Sequence, residues 1–158
     1  MKPLFIWAGG KTKMFKHYES LMPSNIETYS EPFFGGGAMF LYVMDRYKPK
    51  RVYLNDINEG IISIYQNIKT DVNAFCNVMD KYSAEFIPLE KPDRKKFYYA
   101  LRQENAWNYQ KWSPLEQSVV LYFLMKTGFN GIWQINKNTN NRYGTPSGLL
   151  NQKDKVYD

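Results

Sequence analysis

Glu27-Thr28-Tyr29-Ser30-Glu31-Pro32-Phe33-Phe34-Gly35-Gly36-Gly37-Ala38 passes from extended-chain residues through a triple glycine into Phe40, Leu41, Val43 and Met44 at helical intervals. The order it predicts is a short strand over Glu27 to Ser30, a glycine loop, and a helix from Ala38. Arg51-Val52-Tyr53-Leu54-Asn55 then reads as a second strand running into Asp56, and Ile57, Ile61, Ile64, Tyr65 and Ile68 recur with helical spacing. On the N-terminal side, Met14, Phe15, Tyr18, Leu21 and Met22 predict a short amphipathic helix within Lys11 to Met22, ended by Pro23. The first 70 residues therefore read as one βαβα unit. Glycines that follow a strand and open a helix let the backbone come close to a nucleotide-like ligand. Asp56 stands about 20 residues further on, at the end of the next strand, where a carboxylate in a Rossmann-like unit accepts from ribose hydroxyls. The competing readings are a tight turn with no ligand for the glycines and a side-chain cap of the following helix for Asp56. The glycine spacing is not the dinucleotide pattern G-x-G-x-x-G, and Glu31 has no pyrophosphate role, which argues against NAD.

Beyond Asp71 the pattern changes. Val72 to Tyr82, Arg94 to Trp107 and Pro114 to Thr127 read as helices with no convincing strand between them, the last with Ser113 as N-cap and Gly128 as stop. Gly131 to Asn136 alternates like a strand, and Lys137 to Asn141 is turn chemistry before Arg142-Tyr143-Gly144-Thr145-Pro146, which predicts a β-hairpin. The 158 residues, 44% hydrophobic and 17% aromatic, suffice for one core of ordinary size. No run approaches the roughly 20 apolar residues of a membrane span, and MKPLFIWAGG lacks the features of a signal peptide, so a cytoplasmic location in a bacterial cell or phage-infected host is expected. One cysteine, Cys76, and one histidine, His17, exclude an intramolecular disulfide and a zinc cluster, and no metal is expected. A net charge of +6 is compatible with a polyanionic partner, the basic residues being concentrated over Lys91 to Arg102 and from Lys126 onward.

Phe5-Ile6-Trp7-Ala8-Gly9-Gly10-Lys11, Glu31-Pro32-Phe33-Phe34-Gly35-Gly36-Gly37 and Asn55-Asp56-Ile57-Asn58, in that order, resemble the opening motifs of the Dam-type adenine-N6 DNA methyltransferases. The resemblance continues through Phe97-Tyr98-Tyr99-Ala100-Leu101-Arg102, Gly128-Phe129-Asn130-Gly131 and Pro146-Ser147-Gly148. It implies an α/β fold, a partial Rossmann-like S-adenosylmethionine-dependent methyltransferase sheet with a helical and hairpin target-recognition lobe. Residues 1–70 would form the cofactor-binding half, 71–148 the recognition lobe, and 149–158 a tail leading towards a missing catalytic half. It further implies S-adenosyl-L-methionine as cofactor. Trp7 would pack beside it, Lys11 would approach its carboxylate and Asp56 would hold the ribose hydroxyls, while Phe33, Gly35 and Gly37 would shape the loop against the methionine portion near Glu31. Double-stranded DNA is the implied partner, with Phe129 wedging between bases, Asn130 at phosphate, and Ile132, Gln134 and Pro146 on the same contact surface. Trp7 as plain core, Lys11 as solvated surface, and Phe129, Ile132, Trp133 and Ile135 as the core of a small hairpin remain the alternatives.

Two departures from the family stand out. Gln134 occupies the position where GATC-reading members carry an arginine, and Ile6 replaces the lysine before the tryptophan. Arginine reads guanine bidentately while glutamine suits adenine, so a GATC target is not implied. The family's D/N/S-P-P-Y/F grip on the flipped adenine is absent, because no two of the eight prolines are adjacent. The reading is thus an adenine-N6 DNA methyltransferase, truncated or split and inactive alone, with no catalytic residue assigned. A non-catalytic module binding S-adenosylmethionine, DNA or both is the alternative, and a cofactor-degrading enzyme stands third. An incomplete sheet would expose a strand edge, which predicts a complementing polypeptide or self-association.

Overall fold

The structure is a computed structural model that describes residues 2–10, 14–148 and 155–157. Lys11 and most of the expected tail 149–158 lie outside the described residues. The chain divides into two compact units, Met1–Ile62 and Ser63–Asp158.

The first unit is mixed α/β. Helix α1 (Phe15–Tyr18) passes into a 3-10 turn over Glu19–Leu21, and the Phe15 ring stacks on Tyr42 at 4.6 Å. Of the helix expected across Lys11 to Met22, Lys11 to Lys13 lie outside the described residues, and the described part is one α-helical turn continued by the 3-10 turn to Leu21, which apolar spacing alone does not separate from a continuous helix. Strand β1 (Thr28–Glu31) leads through the glycine loop into α2 (Ala38–Arg46), which returns the chain to β2 (Arg51–Leu54). The two strands pair in parallel, Thr28 opposite Arg51 through Glu31 opposite Leu54. Such a pair needs a crossover, and α2 supplies it, burying Val43 while Phe34 is buried at the loop's entry. The carbonyl of Glu31 accepts from the Asn55 amide at 3.0 Å, which carries β1 one residue beyond the expected Ser30. Among the described residues the parallel sheet has these two strands. Helix α3 (Glu59–Thr70) follows β2.

The second unit is built on α4 (Val72–Phe86), α5 (Lys91–Trp107) and α6 (Pro114–Thr127). Asp71 caps α4 by accepting from the Ala74 amide at 2.9 Å, and Ser113 caps α6 by accepting from Glu116 at 3.2 Å. Nine residues of α6, from Ser118 to Thr127, are buried, which marks it as the central helix enclosed on all sides. Around it Phe86 meets Phe123 edge-on at 5.2 Å, and Phe97 lies 6.0 Å from Phe123. The one polar residue early in this buried run, Ser118, is satisfied by Ser63 at 2.7 Å and Asn67 at 2.9 Å. Gly128 does end α6, but in extended conformation; glycine is required there because a Cβ would stand 2.8 Å from the Leu124 carbonyl oxygen. Val156 is buried, and the Tyr157 hydroxyl donates to Asp80 Oδ1 on α4 at 2.7 Å.

The expected strand over Gly131 to Asn136 is corrected to β3 (Ile135–Asn136), paired antiparallel with β4 (Arg142–Tyr143). Its first half is lost because Asn130 and Gly131 both take positive φ, 51° and 60°, and coil Phe129–Gly131 into a 3-10 turn. No helix among the described residues is long and apolar enough to cross a membrane.

Candidate functional site

Two constellations emerge, one in each unit. In the first, Gly35 and Gly37 adopt left-handed backbone, φ 54° and 73°, and the Gly37 amide donates to the Phe34 carbonyl at 3.1 Å, closing a tight turn at the end of β1. The Phe34 amide is held by the Asn55 carbonyl at 3.0 Å, so the loop is stitched to the end of β2. Asp56, the next residue, completes the stitch: the Gly35 amide donates to its Oδ2 at 2.7 Å and the Asn58 amide to its Oδ1 at 2.9 Å. The helix-capping role belongs instead to Asn58, whose Oδ1 accepts from the Ile61 amide at 3.3 Å.

Trp7 lies against this loop. A Cβ on Gly35 would sit 2.9 Å from the indole Nε1, and one on Gly36 would sit 2.7 Å from the Trp7 Cβ, so both glycines are needed for the approach. Trp7 is half-buried and Phe5, 6.2 Å away, is fully buried beneath. Glu31 is buried and accepts from the Tyr29 hydroxyl at 2.8 Å; burial, then that hydrogen bond, push the Tyr29 hydroxyl well above its ordinary pKa. Phe33 points outward, 81% exposed. Trp7, Glu31, Gly35, Gly37 and Asp56 thus gather around one turn, with Phe33 at its rim, and Lys11 lies outside the described residues. A carboxylate offers about four acceptor sites, and the two backbone amides leave half of them for a vicinal diol. The residues present fit a nucleoside ribose.

The second constellation is the loop that closes on the hairpin. The Phe129 amide donates to the Pro146 carbonyl at 2.9 Å, the Thr145 hydroxyl to the Ile132 carbonyl at 2.6 Å, and the Gly144 amide to the Gln134 carbonyl at 2.7 Å. Phe129, Asn130, Ile132, Gln134 and Pro146 are therefore brought onto one looped strap, and all five are exposed. Phe129 at 41%, Ile132 at 40% and Ile135 at 57% exposure do not form the hairpin's core, whereas Trp133 is half-buried with its ring 5.4 Å from that of Tyr143; Thr139, Tyr143, Gly144 and Thr145 are buried there. Helix α5 holds the strap. The Tyr98 hydroxyl donates to the Thr145 carbonyl at 2.8 Å, and Arg102 Nη1 donates to the Gly144 and Thr145 carbonyls at 3.0 Å each while its guanidinium lies over the Tyr99 ring. Burial pushes the Tyr98 and Tyr143 hydroxyls above their ordinary pKa. Sequence reasoning missed Tyr98 and Arg102 as supports. The available signal was the stripe Tyr98, Leu101, Asn105 on α5, which sets a polar hydroxyl among buried positions.

Residues 7–152 match the family described as D12 class N6 adenine-specific DNA methyltransferase. The chain belongs to this family. Among curated relatives, the D12-class chain is 33% identical to the Type II methyltransferase M.MjaIII of Methanocaldococcus jannaschii, over 100% of its own length and 55% of the relative's. It is 26% identical to the Type II methyltransferase M1.LlaDCHI of Lactococcus lactis subsp. cremoris, over 100% of its length and 51% of the relative's. A DNA adenine methylase of Haemophilus influenzae is 29% identical over 93% of the chain and 47% of the relative. The chain spans about half the length of the curated relatives it matches.

Proposed function

We propose that this chain supplies the cofactor-gripping and DNA-contacting half of an adenine-N6 DNA methyltransferase, acting when the remainder of the domain is provided. The observation that carries the reading is the 2.7 Å bond between the Gly35 amide and Asp56, which brings a left-handed glycine turn and a strand-end carboxylate together. The parallel pair β1 and β2 with its crossover is then the start of a Rossmann-like sheet, residues 1–70 the cofactor half and 71–148 the recognition lobe. S-adenosylmethionine, when bound, supplies an electrophilic methyl group on a sulfonium. Asp56 accepts from the ribose hydroxyls. The bare backbone of Gly35 and Gly37, with Phe33 and Glu31, would border the methionine portion, and Trp7, which lies against the glycine loop, would pack beside the cofactor, with Lys11 the expected partner of its carboxylate. On the other unit, Phe129 enters the base stack of double-stranded DNA, Asn130 meets phosphate, and Ile132, Gln134 and Pro146 face bases or backbone. Orientation of the target amine falls to a D-P-P-Y-type segment, which this sequence does not contain. The reactions are those of a cell interior, so the site of action is the cytoplasm.

The alternative reading is a module that binds cofactor or DNA without turnover. Calorimetry with S-adenosylmethionine, alongside tritium transfer to unmethylated DNA, tests both. Binding by the parent chain and its loss in Asp56→Ala supports the cofactor site; absence of binding at millimolar cofactor overturns it. Label appearing in DNA from the chain alone overturns its dependence on a further segment.

A further inference from the structure

Arg142 opens β4, and its guanidinium carbon stands 3.5 Å over the centre of the Tyr109 ring. At that distance the flat cation rests directly on the aromatic face. Both partners are fixed from behind. Tyr109 begins a 3-10 turn after α5, pinned because the Trp112 amide donates to the Tyr109 carbonyl at 3.0 Å and Gln117 Nε2 on α6 donates to the Trp112 carbonyl at 2.9 Å. Arg142 pairs with Asn136 across the hairpin, and its carbonyl accepts from the Thr139 hydroxyl at 2.9 Å. The head group itself is unanswered. Its Nε is buried without a hydrogen-bond partner. Among the described residues no carboxylate pairs with it and nothing accepts from its two Nη groups, which stay open to solvent. Glu104, on α5, accepts from Asn108 Nδ2 at 3.1 Å instead. Burial without a counter-ion holds the guanidinium below its ordinary pKa. Lys111, on the turn that Tyr109 begins, and Lys137, on the hairpin turn before Arg142, are exposed and add charge of the same sign.

We propose that Arg142, seated on Tyr109, grips one backbone phosphate of DNA, its two Nη groups donating side by side to the paired phosphodiester oxygens. The inference rests on the DNA-contacting reading given above. A planar fork already held on a ring loses little freedom on binding, and it matches two oxygens at once. A part-desolvated cation without a counter-ion gains more from an anion than from a neutral base edge. Position agrees. The bond from the Gly144 amide to the Gln134 carbonyl continues the hairpin ladder by one pair, so Gln134, Asn136 and Arg142 project to one face. Gln134 is exposed, while Arg142 is half-buried against Tyr109. A protruding side chain reaches base edges on the floor of a groove, and a retracted one meets the sugar–phosphate rim.

The test measures binding of the full chain to fluorescein-labelled duplexes of several sequences, by anisotropy across a salt series. Arg142→Gln weakens every duplex about tenfold and makes the slope of log affinity against log salt shallower by about one. Arg142→Lys, which keeps the charge and loses the fork, keeps the slope and weakens binding about threefold. Tyr109→Phe, which keeps the ring, leaves affinity unchanged. Duplexes carrying one neutral methylphosphonate linkage each locate the contact: at one linkage the parent loses about tenfold and Arg142→Gln loses nothing. Should Arg142→Gln fail to fold, the scan is read in Arg142→Lys, where neutralising that linkage costs about threefold. Equal affinities of the parent and Arg142→Gln, a loss confined to duplexes with guanine at one position, or no linkage whose cost depends on Arg142 overturns the proposal. No binding of any duplex by the parent chain sinks the DNA-contacting reading and the phosphate grip together, whereas binding indifferent to Arg142 sinks the grip alone.

Discussion

Replacing Asp56 by asparagine keeps the shape of the side chain and changes its hydrogen-bonding capacity. The carboxylate accepts from two backbone amides, Gly35 at 2.7 Å and Asn58 at 2.9 Å, one at each oxygen. An amide side chain has one acceptor oxygen, so whichever way the introduced carboxamide turned, its NH2 would confront one of those two N–H groups. A hydrogen bond to a charged group contributes about 1.5–3 kcal/mol, and the half-exposed position places this one near the lower end. Asp56→Asn should therefore cost about 2 kcal/mol and Asp56→Ala, which releases both amides, about 3 kcal/mol. With a urea m-value of about 2 kcal/mol per molar, the asparagine variant's unfolding midpoint falls by about 1 M. Cofactor binding is then measured by calorimetry at a temperature where both variants are folded. Loss of one of two acceptors for the ribose diol lowers affinity by about tenfold or more. An Asp56→Asn midpoint equal to the parent's would refute the claim that this carboxylate fastens the glycine loop. A lowered midpoint with unchanged cofactor affinity would leave Asp56 a purely structural clasp.

Gly35→Ala forces a Cβ into left-handed backbone and to within 2.9 Å of the Trp7 indole nitrogen, so a loss of about 2 kcal/mol and a shift in tryptophan emission are expected; an unshifted spectrum would show that Trp7 does not rest on the loop. The hydroxyls of Tyr29, Tyr82 and Tyr98 are all pushed above their ordinary pKa, chiefly by burial, with Glu31 and Glu116 adding to the first two. The folded chain keeps these protons where the unfolded chain releases them, so the associated stability is complete below about pH 10 and is lost as pH rises further. Absorbance at 295 nm should show the three ionising only with unfolding, and Tyr82→Phe should move the alkaline transition upward; normal titration within the folded protein would contradict this. Gln134→Arg places a bidentate guanine reader on the exposed strap, and a gain of about 1–3 kcal/mol for guanine at one position of the bound duplex is expected in competition binding, whereas an unchanged preference would remove Gln134 from the base-contacting set.

The parts legible in the sequence are those fixed by local chemistry. Ser113-Pro114 starts α6 because a serine cap and a proline in the first turn satisfy or avoid the same orphan amides, and both ends of that helix stand where the residues place them. The parallel strand pair was legible through the spacing from the glycines to Asp56. The strand expected from Gly131 was not, because apolar alternation there carries no notice that Asn130 and Gly131 take positive φ. Trp7 against Gly35 and Gly36, and Arg142 over the Tyr109 ring, depend on segments remote in sequence meeting, which no local pattern encodes. The Asp56 clasp joins the two levels. Sequence spacing brings the aspartate to the strand end, but only the fold shows that it already holds the Gly35 amide. On the proposed reading, that prior bond keeps the glycine loop in its binding shape before any nucleoside arrives, so little ordering cost is left for the cofactor to meet. Affinity should then depend on Asp56 twice, through the diol it accepts and through the loop it fixes. A double-mutant cycle of Asp56→Asn with Gly35→Ala, read by cofactor calorimetry, should consequently be far from additive; strict additivity would mean that the loop and the carboxylate act on the cofactor independently.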